Sequence, residues 1–216
     1  MKSMVLKDLY NIGHNAKSML FMLLIFAFIL IPQGTPESYI ITSGILCSMM
    51  TITTFSFDDM AKWVRYALIM PVSKRDVVLG KYAILFIFSG IGAVFGLMIS
   101  IIGGLLLHKI NIGSTTEWLT LLGFTLAGFL IAIFNGGTVI PLLIKFGAEK
   151  ARILSISVVI IPFGIWYIIS SVLKAFEITI SNQLIGILLC ALPFFVFAWI
   201  FVMYKLANRI FEKQEV

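Results

Sequence analysis

The sequence predicts an all-α, polytopic membrane protein with six spanning helices, an amphipathic helix at its start and a charged helical loop between spans two and three. Three observations support this. Hydrophobic residues make up 60% of the 216 and charged residues only 12%, against roughly a quarter charged in soluble domains. Apolar runs lie near 18–33, 38–57, 82–107, 118–141, 153–173 and 183–204, and about 20 such residues carry a helix across the hydrocarbon core. The basic residues gather in the connections, and all but Lys109 and Lys174 fall on one side of that layout.

The lead, residues 1–17, places Val5, Leu9 and Ile12 on one helical face with Lys7, Asn11 and Asn15 elsewhere, the pattern of a helix lying in the inner headgroup layer. Its polar character, and the lack of a small-residue cleavage site after the first apolar run, argue against a cleaved signal. Residues 33–37 are so few that spans one and two form a tight hairpin. In span two, Gly44, Ser48 and Thr51 share a face suited to helix packing.

A charged island then runs from Phe55 to Tyr82 and holds Lys62, Arg65, Lys74, Arg75 and Lys81 with Asp58, Asp59 and Asp76. Such residues belong in water or against a polar partner. Asp58 is placed to cap an amphipathic helix over 58–70, with Met60, Trp63, Val64, Ala67 and Leu68 on one face. Pro71 stops it, because the residue before a proline is pushed out of the helical region. Ser73 and Asp76 form a capping-box variant that starts the next helix. A basic loop along the headgroups accounts for the lysines, whereas the apolar spacing suits docking in a groove of another protein.

Span three repeats Gly92, Gly96, Ser100 and Gly104 at four-residue spacing, a face that lets a neighbouring helix approach closely. Span four carries Gly128, Ala132 and Gly136 likewise, then Asn135, Gly137 and Pro141. These predict a kinked or partly unwound segment, a candidate hinge at Asn135, Gly136, Gly137 and Pro141. Asn135 is also suited to bonding between helices. Gly147 turns the second basic connection, and Pro162, Gly164 and Pro193 are further potential kinks. The tail is residues 205–216.

The positive-inside rule puts both termini and the two basic loops in the cytoplasm, so the net charge of +6 reports topology and not nucleic-acid binding. Cys47 and Cys190 lie in apolar runs, and His14 and His108 on opposite sides, which predicts neither disulfide framework nor metal site. No ionisable residue falls clearly within a span, which disfavours an ion-driven pump. No nucleophile-and-base pair appears, and Gly80-Lys81-Tyr82 is not a phosphate-binding loop. Energy for active transport must therefore come from another subunit, and the island is the surface to receive it.

The stretches FSFDDMAKWVRYALIMPVSKRDVVLGKY and VIPLLIKFGAEKARI resemble the membrane permease subunits of type-two ATP-binding-cassette (ABC) exporters. The likeness is nearest to the short bacterial permeases that include exporters of phenol-soluble modulins. It implies a single permease domain over 1–216 in the bacterial cell membrane, with the lead as elbow helix and residues 58–81 as a cytoplasmic coupling loop. It also implies a coupling helix, made by Asp58, Asp59, Met60, Trp63, Val64, Ala67, Leu68 and Pro71, that docks on a cytoplasmic ABC ATPase. A second permease copy or relative completes the pathway, and ATP and Mg bind to the partner, with no cofactor held directly. The connection from Lys174 to Asn182 leaves little room for a large outer subdomain. Walls of Ser, Thr, Met and aromatic residues suit a hydrophobic or amphipathic cargo, such as a peptide. The alternative is a non-transporting membrane scaffold or a peptide-immunity protein.

Overall fold

A computed structural model describes residues 2–13, 16–63, 66, 73–110, 114–175 and 182–213. Every regular element among them is helical: α1 Lys2–Gly13, α2 Ala16–Gln33, α3 Pro36–Ser48, α4 Met50–Met60, α5 Lys74–Leu106, α6 Thr115–Ala175 and α7 Asn182–Lys213. Five helical stretches are long and apolar enough to cross a membrane: Ala16–Gln33, Pro36–Met60, Lys74–Leu106, Thr115–Ala151 and Cys190–Lys213. The run predicted as a separate span over 153–173 contributes only the shorter apolar helix Ile153–Pro162 to that set. Among the described residues there are thus five candidate spans by length and composition, where the sequence predicts six.

α2 turns one narrow stripe, Leu23, Ala27 and Ile31, to the protein and leaves residues such as Phe21 and Phe28 outward, as a helix at the lipid boundary should. Pro36 at the first position starts α3, where a missing N–H costs nothing. The hairpin between them is fastened by Lys109, whose ammonium donates to the carbonyls of Ile31 (2.9 Å), Pro32 (2.7 Å) and Gly34 (2.8 Å). The open carbonyls at the end of α2 thus meet a positive charge. Lys109 reaches them because α5 ends in a tight turn. His108 takes a left-handed φ of 52°, and the N–H of Lys109 returns to the Gly104 carbonyl at 2.8 Å.

The most extensive helix pair is α3 against α5, and the four-residue repeat explains it. Gly92, Gly96, Ser100 and Gly104 line the α5 face that meets α3 and its approach. Ser43 Oγ donates to the Gly92 carbonyl at 2.9 Å, and Ser100 Oγ to the Pro36 carbonyl at 2.6 Å. A Cβ at Gly92 would strike Cys47, one at Gly96 would strike Ser43, and one at Gly104 would strike Ile110. On the other side of α3, Gly44 lies against the backbone of Gly128 in α6. Small residues let backbones close, and the hydroxyls then find carbonyls across the seam.

α6 is not unwound where the sequence suggests a hinge. Residues 135–141 stay helical, and the only non-helical backbone inside α6 is at Gly147, with φ 77° and ψ 167°. Pro141 removes the N–H that the Gly137 carbonyl would accept from. The Tyr82 hydroxyl donates to that carbonyl instead, at 3.1 Å. Asn135 Nδ2 donates to Ile131 O of its own helix at 3.0 Å, so this bond does not join two helices. Val196, Ile200, Ala207 and Phe211 seat α7 on the core made by α4, α5 and α6, while Phe194, Phe195 and Phe201 face outward.

Gly96→Leu should overpack the α3–α5 seam and cost roughly 1–3 kcal/mol or more, whereas Gly123→Ala, with nothing nearby, should be close to neutral. Thermal unfolding in detergent separates the two. Equal midpoints would show that the seam tolerates the added volume.

Candidate functional site

At the end of the bundle away from Lys109, three segments far apart in sequence bring two lysines and two aspartates together. α1 supplies Lys7 and Asp8, the last turn of α4 supplies Asp58, and the second turn of α5 supplies Lys81. Lys81 Nζ lies 2.9 Å from Asp8 Oδ2 and 2.5 Å from Asp58 Oδ2. Lys7 Nζ lies 2.5 Å from Asp58 Oδ1 and 3.1 Å from Asp8 Oδ1. The last contact is in ion-pair range without hydrogen-bond geometry, since Asp8 Oδ1 has no hydrogen-bond donor. The four charges close a ring of alternating sign.

This ring is buried. The side chains of Asp8, Asp58 and Lys81 are only 4–5% exposed, and that of Lys7 is 25% exposed. Aromatic faces cover the cations, with Lys7 Nζ 3.4 Å from the Trp63 ring centroid and Lys81 Nζ 4.8 Å from that of Phe55. A cation–π contact strengthens as water is removed. Taking each ion out of water costs several kcal/mol, so the ring is tolerable only because every charge has an opposite neighbour.

The local sequence explains each placement. In α1 the buried stripe is Met4, Asp8 and Ile12, at four-residue spacing, with Val5 and Leu9 half-buried beside Ile12, Ile84 and Phe88. The apolar face predicted to rest on headgroups therefore packs on α5. In α4, Thr51, Thr54, Phe55 and Asp58 share the inner face. In α5, Ser73 accepts from the Asp76 N–H at 3.1 Å and donates to Asp76 Oδ2 at 2.8 Å. That cap starts the helix so that Val77, Lys81 and Leu85 fall on one inward stripe.

The placement of Asp58 corrects the sequence reading. It does not cap a new helix, because α4 runs on from span two through Met60, and the chain turns at Ala61 and Lys62, where φ is 50°. The side chains of Asp58 and Lys81 are buried within the chain. Their charges are answered within the chain. Asp59 is exposed, yet its Oδ2 accepts from the Ala148 N–H at 2.9 Å. It thereby caps the part of α6 that restarts after Gly147. Met60 is 82% exposed, and Trp63 is half-buried between Lys7 and the core. Val64, Ala67, Leu68 and Pro71 lie outside the described residues. The small residues of α5 and the Asn135–Pro141 stretch lie within the bundle, apart from this ring.

Sequence reasoning alone missed Lys7, Asp8 and Lys81 as a unit. Asp8 stands one turn from Met4 and Ile12, and Lys81 one turn from Val77 and Leu85. A charge within an apolar stripe was the available signal. A model of the family described as ABC-2 family transporter protein matches residues 3–212, a range that takes in all four charges. The chain belongs to this family. Comparison with curated proteins and with solved structures returns no match. As an ABC-2 permease the chain is a multi-pass membrane component of a transporter and not itself its catalyst.

Lys81→Met leaves two buried carboxylates facing one ammonium and should cost about 3–5 kcal/mol. Adding Asp58→Asn should recover part of that loss. Additive losses in detergent unfolding would show that the charges do not act as a unit.

Proposed function

We propose that this ABC-2 permease is the membrane half of an exporter driven by a separate cytoplasmic ABC ATPase, which docks on the segment beginning at Met60. The observation that carries this reading is the charge ring at the root of that segment. It ties α4, where the segment begins, to α5, where it ends, and ties both to α1. A push on the loop from below is then transmitted to spans two and three together and not absorbed by a loose connection. In this reading both termini are cytoplasmic, six spans cross the membrane of a bacterial cell, and a second copy or a relative completes the pathway. ATP and Mg belong to the partner.

The cargo in this reading is hydrophobic or amphipathic, in keeping with the resemblance to exporters of phenol-soluble modulins. The composition of the spans supports it. The charged side chains cluster at the bundle ends, and the intervening helices offer hydroxyl, sulfur and aromatic groups that cannot offset the desolvation of a small ion. An amphipathic peptide can present its apolar face and keep its charges at the headgroup level.

The test uses the permease co-expressed with a candidate ABC ATPase. Met60 is exposed, so Met60→Glu with Leu68→Glu should leave the permease folded while copurified ATPase falls by about tenfold or more. Undiminished copurification would sink the docking assignment. ATP hydrolysis by the reconstituted complex should rise with an amphipathic helical peptide, and stimulation by a hydrophilic solute alone would overturn the cargo assignment.

A further inference from the structure

A second polar feature lies at the same end of the bundle, between the last turns of α7 and the first turn of α5. Tyr204, Lys205, Asn208, Arg209 and Glu212 from α7 and Arg75 from α5 surround an open pocket of about 380 Å³, within the range of small-molecule sites. On α7 the lining residues form two adjacent stripes at four-residue spacing, 204–208–212 and 205–209. They project together because 3.6 residues make a turn.

The walls of this pocket are fixed. Lys74 Nζ donates to the carbonyls of Phe211 (3.3 Å) and Glu212 (3.4 Å), holding the end of α7 against the start of α5. Ala207 and Phe211 are buried beneath, and the Tyr204 ring meets Tyr82 edge-on at 5.7 Å. Tyr82 is itself bonded to the Gly137 carbonyl.

The pocket has an excess of positive charge. Glu212 is its one carboxylate among the described residues and is paired with Arg75 at 3.4 Å. Lys205 lies over the Phe201 ring at 4.6 Å, and neither Lys205 nor Arg209 has a carboxylate in ion-pair range among the described residues. Two guanidinium groups and an ammonium on one pocket suit a phosphate ester.

The position along α7 says what carries that phosphate. Phe194, Phe195, Phe197, Phe201 and Val202 are all at least half exposed on the spanning stretch Cys190–Lys213, as lipid-facing residues are. Lys205 follows Phe201 by one turn, about 6 Å, and Arg209 by two, about 12 Å. The polar layer of one leaflet begins there and is roughly 5–7 Å deep. We propose that this pocket is a binding site for the headgroup of an anionic phospholipid, with the phosphodiester on Lys205, Arg209 and Arg75 and an acyl chain along the aromatic stripe above. Basic pockets between spanning helices at the headgroup level act in this way in general. The occupant locks the end of α7 to the first turn of α5, close to the charge ring.

The experiment is native mass spectrometry of the detergent-purified, delipidated permease titrated with dioleoylphosphatidylglycerol or dioleoylphosphatidylcholine. Wild type should bind the anionic lipid more tightly than the zwitterionic one. Lys205→Gln with Arg209→Gln should weaken phosphatidylglycerol binding about 25-fold, a factor of about five for each basic residue, and phosphatidylcholine binding less, because its choline cation already offsets the phosphate charge. The control Lys145→Gln with Lys150→Gln removes the same charge elsewhere and should have no such effect. Equal affinity for the two lipids, or equal loss in both double variants, would overturn the proposal. Displacement of phosphatidylglycerol by millimolar inorganic phosphate would show a free-anion site and overturn the lipid assignment. Should the double variant fail to fold, Arg209→Gln alone should lose about fivefold, and unchanged binding would count against the site.

Discussion

The ring formed by Lys7, Asp8, Asp58 and Lys81 is the constraint on which this end of the protein depends. A buried carboxylate or ammonium is costly alone and acceptable in company, so none of the three segments that supply the ring can withdraw without stranding charge on the others. Asp58 and Lys7 stand 51 residues apart, and Lys81 and Asp8 73 apart. The short α1, which is not itself a span, is thereby made part of the bundle. The cluster also explains how a chain with few charged residues keeps Asp8, Asp58 and Lys81 out of water.

The rest of the bundle solves the opposite problem, which is how apolar helices choose neighbours in a solvent as apolar as they are. Here the choice is made by volume. Gly92, Gly96 and Gly104 on α5 and Gly44 and Gly128 at the α3–α6 contact remove the side chains that would hold backbones apart. Ser43 and Ser100 then reach carbonyls on the facing helix. Tyr82 does the same at a site the sequence itself creates, filling the carbonyl that Pro141 leaves open. The carbonyl freed by a proline within α6 is thus satisfied from another helix.

Much of the fold is legible in the sequence because it depends on local or composition-level properties. The apolar runs, the Ser73–Asp76 cap, the turn at Gly147 and the small-residue face of α5 all follow from spacing within one segment. The charge ring does not. Asp58 and Lys81 read as residues belonging in water or against a polar partner, and the sign of the burial energy depends on a partner dozens of residues away. The same blindness assigned Asp58 to a helix cap. The carboxylate of Asp59 is a parallel case, since its partner Ala148 belongs to α6.

On this account α1 is held by charge pairing more than by its modest apolar face, while the α3–α5 seam stands by packing. Hydrogen exchange followed by mass spectrometry on the detergent-purified Lys81→Met permease tests that division most directly. The account predicts faster exchange across α1 and the last turn of α4, with protection retained in the middle of α3 and α5. Unchanged protection of α1 would contradict it and would show that the apolar contacts with Ile84 and Phe88 suffice to hold the helix.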